Sequence, residues 1–204
     1  MSQRRGKSWL WIVLALIGAG FQAWRELHDA PANSPKQSIK VFEVILNAQL
    51  RPHPDNDGDS FHLDHGGQTH EFRLYFADCP EKKRHHLNGE RLAEQGRYFG
   101  NLSESETVAV GLQAQAFTER LLTTQSFTIC TKWQSVYNSG RHYAFILFKD
   151  GEDLSAKLIR EGLARIHTSG TRLPDGRTPS QYEQQLHQIE AEARAARRGG
   201  WRLR

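Results

Sequence analysis

The 204-residue sequence predicts an α+β domain, and three observations carry that prediction. Apolar residues alternate with polar ones through Phe61, Leu63, Phe72, Leu74 and Phe76, the period-two signature of half-buried strands. Ala114, Phe117 and Leu121, and later Tyr182, Leu186, Ile189 and Ala193, recur instead at helical spacing. Read in order, the segments give three strands, a helix, two strands and two helices. That order is expected of a five-stranded OB-fold β-barrel with about three packed helices.

Ahead of the domain, Arg4, Arg5 and Lys7 precede an apolar run over residues 9–24. Three readings of this run stand: a buried core helix, a cleavable signal peptide, or an uncleaved membrane anchor. Gly18, Ala19 and Gly20 suit signal cleavage, whereas Trp9, Trp11 and Trp24 at the two ends suit an interfacial aromatic belt. At ~1.5 Å per residue the run spans about 24 Å as a helix, short of a ~30 Å hydrocarbon core. Pro31, Asn33, Ser34 and Pro35 mark residues 25–37 as a flexible linker, so the folded domain is expected over residues 38–204. The chain carries 27 basic and 23 acidic residues; without the three of the basic head the balance is 24 to 23. Net charge therefore does not decide the function, and any polyanion site must come from local clustering.

Ile39, Val41, Val44 and Leu46 lie in a β-rich run, the first strand. Pro52 and Pro54 forbid its continuation through residues 47–56. The next twenty-five residues, 57–81, read as two short strands joined by turn chemistry at Asp64-His65-Gly66-Gly67. A basic run, Lys82-Lys83-Arg84-His85-His86, follows. A short helix is expected near residues 90–97, then a polar loop to residue 111, and a helix over residues 112–124. Phe127 and Ile129 alternate as a strand, and residues 143–148 read as a strand buried on both faces. Asp153 caps a helix that Gly162 stops, and Ser180 with Glu183 offers a capping box for the last helix.

The hairpin folds Asp57 and Asp59 back towards Asp78 and Glu81, with Arg73 one strand-length away. Carboxylate oxygens suit Ca2+ or Mg2+, and a fixed guanidinium suits a phosphate. Two other metal sites fail on spacing. Asp55 to Asp59 resembles the start of an EF-hand loop, but Ser60 and Gly66 stand where Gly and Glu are needed. His62, His65, His70, His85 and His86 lack any HExxH or CxxC companion for zinc. Cys79 and Cys130 are the two cysteines, either paired or free.

The wording of this stretch also resembles a known family. Asp57-Gly58-Asp59-Ser60, Phe72-Arg73-Leu74 and Asp78-Cys79-Pro80-Glu81 resemble the signature of the staphylococcal nuclease family. Gly140-Arg141, the Arg160-to-Ala164 stretch and a final helix ending near Trp201 continue the match, which covers roughly residues 39–201. The resemblance implies an OB barrel and a Ca2+-dependent phosphodiesterase of little sequence preference, acting on DNA and RNA as a monomer. It makes Asp59, Asp78 and the backbone carbonyl of Cys79 calcium ligands, Glu81 the general base, and Arg73 and Arg141 the phosphate-binding catalytic arginines. Lys82, Lys83 and Arg84 are expected at a phosphate-contacting rim, and His167 as a stacking group where the family carries tyrosines. A non-catalytic nucleic-acid-binding OB module is the rival class, and retention of the acidic and arginine set favours the enzyme. Combined with three basic residues before the apolar run and Arg25 just after it, this places the domain outside the cytoplasm, anchored by one helix, or else secreted.

Overall fold

The computed structural model describes residues 42–203, so the expected apolar helix over residues 9–24 and the linker over 25–37 lie outside the described residues. Eight strands are described: β1 (Glu43–Ile45), β2 (Gln49–Leu50), β3 (Ser60–His65), β4 (Gln68–Leu74), β5 (Ala77–Asp78), β6 (Phe127–Ser135), β7 (His142–Phe148) and β8 (Arg165–Ile166). Four α-helices accompany them: α1 (Gly89–Tyr98), α2 (Glu104–Thr124), α3 (Leu154–Arg160) and α4 (Pro179–Ala195), with a closing 3-10 turn at Gly199–Leu203. Six strands form a mixed sheet in the order β1-β6-β7-β4-β3-β2, and β5 pairs with β8 in a separate two-stranded ladder. All pairings are antiparallel except β4 with β7.

This arrangement is an α+β, OB-like fold, and it corrects the expected five-stranded barrel with three helices. No closed barrel forms, because β1 bonds only β6 and β2 bonds only β3 at opposite ends of the sheet. The two end strands are nonetheless arms of one segment, separated by Leu46, Asn47 and Ala48, with Asn47 at φ 59. At ~3.3–3.6 Å per residue so short a link obliges the sheet to curve back on itself. Of the expected first strand the described part forms β1; Asn47, which tolerates the left-handed region, then turns the chain, and β2 pairs inside residues 47–56, ahead of the two prolines.

The hairpin forms as the alternation predicts. Ser60 faces Arg73 and His65 faces Gln68 across it, around a two-residue turn whose Gly66 and Gly67 take φ 58 and 78. That is the primed turn matching strand twist, and it needs residues without a Cβ penalty. Phe61, Leu63, Phe72 and Leu74 are all buried. Past β4, Phe76 adopts φ 63 and turns the chain so that Asp78 comes back beside Arg73.

Helix α2 begins eight residues before the expected start. Ser103 accepts from Glu106 and Glu106 reaches back to Ser103, a full capping box. The residues buried in the early turns, Thr107, Val110, Gly111 and Ala114, are small, so the segment lacks the large apolar stripe that marks a helix in sequence. The last helix likewise opens two residues early, at Thr178 with Gln181, and Pro179 takes the first helical position. Its stripe of Tyr182, Leu186, Ile189 and Ala193 is buried as expected. The Tyr182 hydroxyl donates to Asp153, which also caps α3 through Ala156 N at 3.1 Å. Both cysteines are free and buried, Cys130 in mid-strand on β6.

A candidate phosphodiester site on the acidic hairpin

Three small residues let the acidic loops close together. A Cβ on Gly58 would lie 2.6 Å from Cys79 Sγ and from Ala114 Cβ, and one on Gly111 only 2.4 Å from the Pro80 carbonyl. Helix α2 therefore presses directly on residue 58 and on residues 80–81, and the Thr118 hydroxyl donates to the Gly58 carbonyl at 2.7 Å. Asp57 fixes the turn on the other side, accepting from Asp59 N at 3.1 Å and Ser60 N at 2.6 Å.

Asp59 and Asp78 are each 1% exposed, and Arg73 is 7% exposed. The guanidinium bridges the two carboxylates, NH1 to Asp59 Oδ1 at 3.0 Å and NH2 to Asp78 Oδ1 at 2.5 Å. Arg73 and Arg141 each donate to Ser60 Oγ at 3.3 Å, so their NH1 atoms lie within twice that distance. Arg141 is half-buried, and Ser139 Oγ accepts from its Nε at 3.2 Å. Two guanidiniums converging on one hydroxyl form a fork for a phosphate.

The carboxylates differ in state. Burial pushes the Asp59 carboxyl well up, aided by Asp57 and Asp78 and opposed mainly by Arg73. Asp78 is held below the ordinary carboxylate range: burial raises it, but Arg73, Arg91 and Arg165 together outweigh that. Burial likewise lifts the Cys79 thiol well above its ordinary value, so it stays protonated near neutral pH.

Helix α1 and strand β8 bring residues that sequence patterning does not reveal. Arg91 donates from NH2 to Asp78 Oδ1 at 2.8 Å and from Nε to Glu81 Oε1 at 2.7 Å. Arg165 joins Asp78 Oδ2 at 2.7 Å to Glu94 Oε1 at 2.9 Å. Gln95, fully buried, donates to Asp78 Oδ2 at 3.1 Å and the Cys79 carbonyl at 3.0 Å, and accepts from Glu81 N at 3.1 Å. Every polar function of that amide is used. Its helical neighbours on α1 gave no catalytic spacing to read, and only the Arg-x-x-Glu-Gln order hinted at a polar face.

Not every expected residue joins the site. The Lys82 ammonium is drawn away to the Pro54 carbonyl at 2.6 Å and to the Asn56 carbonyl. The residue 47–56 loop thus consumes the charge expected to meet phosphate. Arg84 pairs with Glu104 at 3.0 Å on the surface, Lys83 is exposed, and His167 is exposed on the Arg165 side, near Glu94. His53 stacks on His62 at 3.9 Å between ring centroids.

The family model of staphylococcal nuclease homologues matches residues 71–203. The chain belongs to that family. The matched span holds Arg73, Asp78, Cys79, Glu81, Arg91, Gln95, Arg141 and His167, while Asp59 and Ser60 precede it. No curated protein matches the chain. Membership identifies a nuclease-like or nucleic-acid-binding domain, consistent with the paired arginines. In kind, two carboxylates and a carbonyl match the oxygen donors that calcium takes. In arrangement they are drawn round guanidiniums: Asp78 accepts from four donors, the capacity of a carboxylate. Among the described residues no cluster of three or more His, Cys, Asp or Glu side chains is placed to hold a metal.

Proposed function

We propose that the chain is a nuclease that hydrolyses phosphodiester bonds of DNA and RNA, acting as a monomer with Ca2+. One observation carries this reading: Arg73 is common to both halves of the site, touching Asp59 and Asp78 on one side and sharing Ser60 Oγ with Arg141 on the other. Groups suited to an anion and groups suited to a cation thus meet at one rim.

In this reading Arg73 and Arg141 bind the non-bridging oxygens of the scissile phosphate and donate more strongly as charge develops there. Glu81, with 28% of its side chain open to solvent, accepts the proton of the attacking water while Arg91 orients its carboxylate. Asp59, the Cys79 carbonyl and, on giving up one of its four present donors, Asp78 would hold Ca2+, which when bound would polarise a phosphoryl oxygen. Gln95 and Ser60 fix those groups without touching the reacting atoms.

The rival reading, a non-catalytic nucleic-acid-binding module, draws on the full set of donors already on Asp78. Incubating the full chain with single-stranded DNA, with Ca2+ or with chelator, separates the two. Calcium-dependent cleavage supports the nuclease; binding without cleavage under both conditions supports the module.

We also propose that residues 9–24 anchor the chain, with the domain from residue 38 facing outward; release by signal cleavage is the alternative. Support comes from the excess of Lys and Arg before the apolar run. Among the described residues no helix is long and apolar enough to cross a membrane. Protease added to intact cells or spheroplasts should digest the domain; protection until the membrane is broken would contradict this topology.

A further inference from the structure

Helix α1 lies between the 78–81 segment and helix α2. Its buried side is fixed twice: Leu92 is wholly buried, and Gln95 hydrogen-bonds across the 78–81 segment. Asn88 ties the preceding loop to the helix start, accepting from His85 N at 2.9 Å and donating to the Lys83 carbonyl at 3.0 Å. Arg91, next to Leu92, is thereby held at the outer edge of the site.

Its surroundings differ from those of the other arginines. Arg73 and Arg165 have side chains 9% and 6% exposed, and both are enclosed with Asp78. Those two hold Asp78 from the interior side, Arg73 shared with Asp59 and Arg165 shared with Glu94. Arg91 adds itself to Asp78 Oδ1, the oxygen that also takes Arg73, and pairs through Nε with Glu81, yet 43% of its side chain remains open to solvent. Ser60 Oγ links Arg141 to Arg73, and Asp78 Oδ1 links Arg73 to Arg91. Three guanidiniums therefore follow one another along the rim, the outermost rigidly mounted and partly free.

We propose that Arg91 is a third phosphate-binding group, contacting a backbone phosphate next to the one held by Arg73 and Arg141. A row of guanidiniums suits a polyanion with repeating phosphates better than a lone phosphate, because each can take one phosphate in turn. Helix α1 then serves as a built-in extension of the substrate track. Recognition is of the backbone and carries no base preference. The proposal rests on the nucleic-acid reading of this site.

The test uses the full chain with chelator and a phosphorothioate-linked oligothymidylate, which keeps the backbone charge while resisting hydrolysis. Binding is followed by fluorescence anisotropy over a series of salt concentrations. Arg91→Gln, which keeps a donor for Asp78, should weaken binding about tenfold or more. It should also flatten the slope of log affinity against log salt by ~0.7, the loss of one phosphate contact on a single strand. Arg91→Lys should restore the slope, and Arg97→Ala, an exposed arginine on another face of α1, should leave both quantities unchanged. Arg91→Gln with native affinity and slope would overturn the proposal alone. Failure of the unaltered chain to bind the oligonucleotide would overturn the nucleic-acid reading, and this inference with it.

Discussion

Asp59 and Asp78 stand on either side of one guanidinium, are equally buried, and behave in opposite ways. Asp59 has one arginine, a backbone N–H from Cys79 and the Ser60 hydroxyl, and burial wins, raising its carboxyl. Asp78 has three arginines and an amide, and charge wins, lowering it. Burial alone therefore does not tell what a carboxylate does; the number and kind of its donors decide. Asp78 is the hub on which β4, β5, α1 and β8 converge, whereas Asp59 is the group left short of positive charge and hence the one a bound cation would relieve most.

Removing each hub partner should expose that difference, and the largest effect is expected at Asp78. Asp78→Ala takes from buried Arg73 and Arg165 their shared carboxylate, leaving them only Asp59 and the exposed Glu94, and should cost roughly 3–5 kcal/mol in urea unfolding. Asp59→Asn keeps the shape and removes only a poorly compensated charge, so its change should stay below about 1 kcal/mol at neutral pH. Equal losses in the two variants would break the contrast.

Gln95→Leu should come next. It strands the Glu81 N–H and the Cys79 carbonyl in the interior, at about 2–3 kcal/mol. Native stability in that variant would remove Gln95 from any positioning role.

The pH dependence of stability in chelator sharpens the same contrast, with opposite signs. Asp59 is raised on folding, so the folded state holds its proton longer. Its contribution should decline as pH climbs from the ordinary carboxylate value of ~3.9 through its folded value. Asp78 is lowered, so its stabilisation is full above ~3.9 and fades as pH falls towards its folded value. Subtracting the Asp59→Asn curve from that of the unaltered chain should leave a difference that shrinks with rising pH; one that grows would contradict the assignment.

The smallest effect belongs to the surface. The Arg84 to Glu104 pair is 68% and 43% exposed, so Arg84→Ala should alter stability by no more than about 0.5 kcal/mol. A larger loss would mean that the basic loop packs more firmly than its exposure implies.

Legibility in the sequence follows the same division. The hairpin and its return of Asp59 towards Asp78 were readable because alternation and the Gly66-Gly67 turn fix a register; the bridge that Arg73 makes between the two carboxylates was not. Nor was the hub. Arg91, Gln95 and Arg165 reach Asp78 from thirteen, seventeen and eighty-seven residues away, and periodicity says nothing about which polar side chain a helix aims at a distant carboxylate. The early turns of α2 escaped for a related reason: close approach to Gly58 and to residues 80–81 demands Ala114 and Gly111, which read as weak helix signal. The contacts of Lys82 were not legible because the carbonyls it meets belong to a loop whose path two prolines obscure.

The most direct measurement of the central claim, that this hub serves bond cleavage and not binding alone, is single-turnover cleavage by Glu81→Gln at saturating single-stranded DNA with Ca2+. Cleavage should fall by roughly 10²–10⁴-fold, the usual worth of a general base, while oligonucleotide affinity stays within about twofold. Cleavage undiminished, or cleavage and affinity lost in equal measure, would contradict the account.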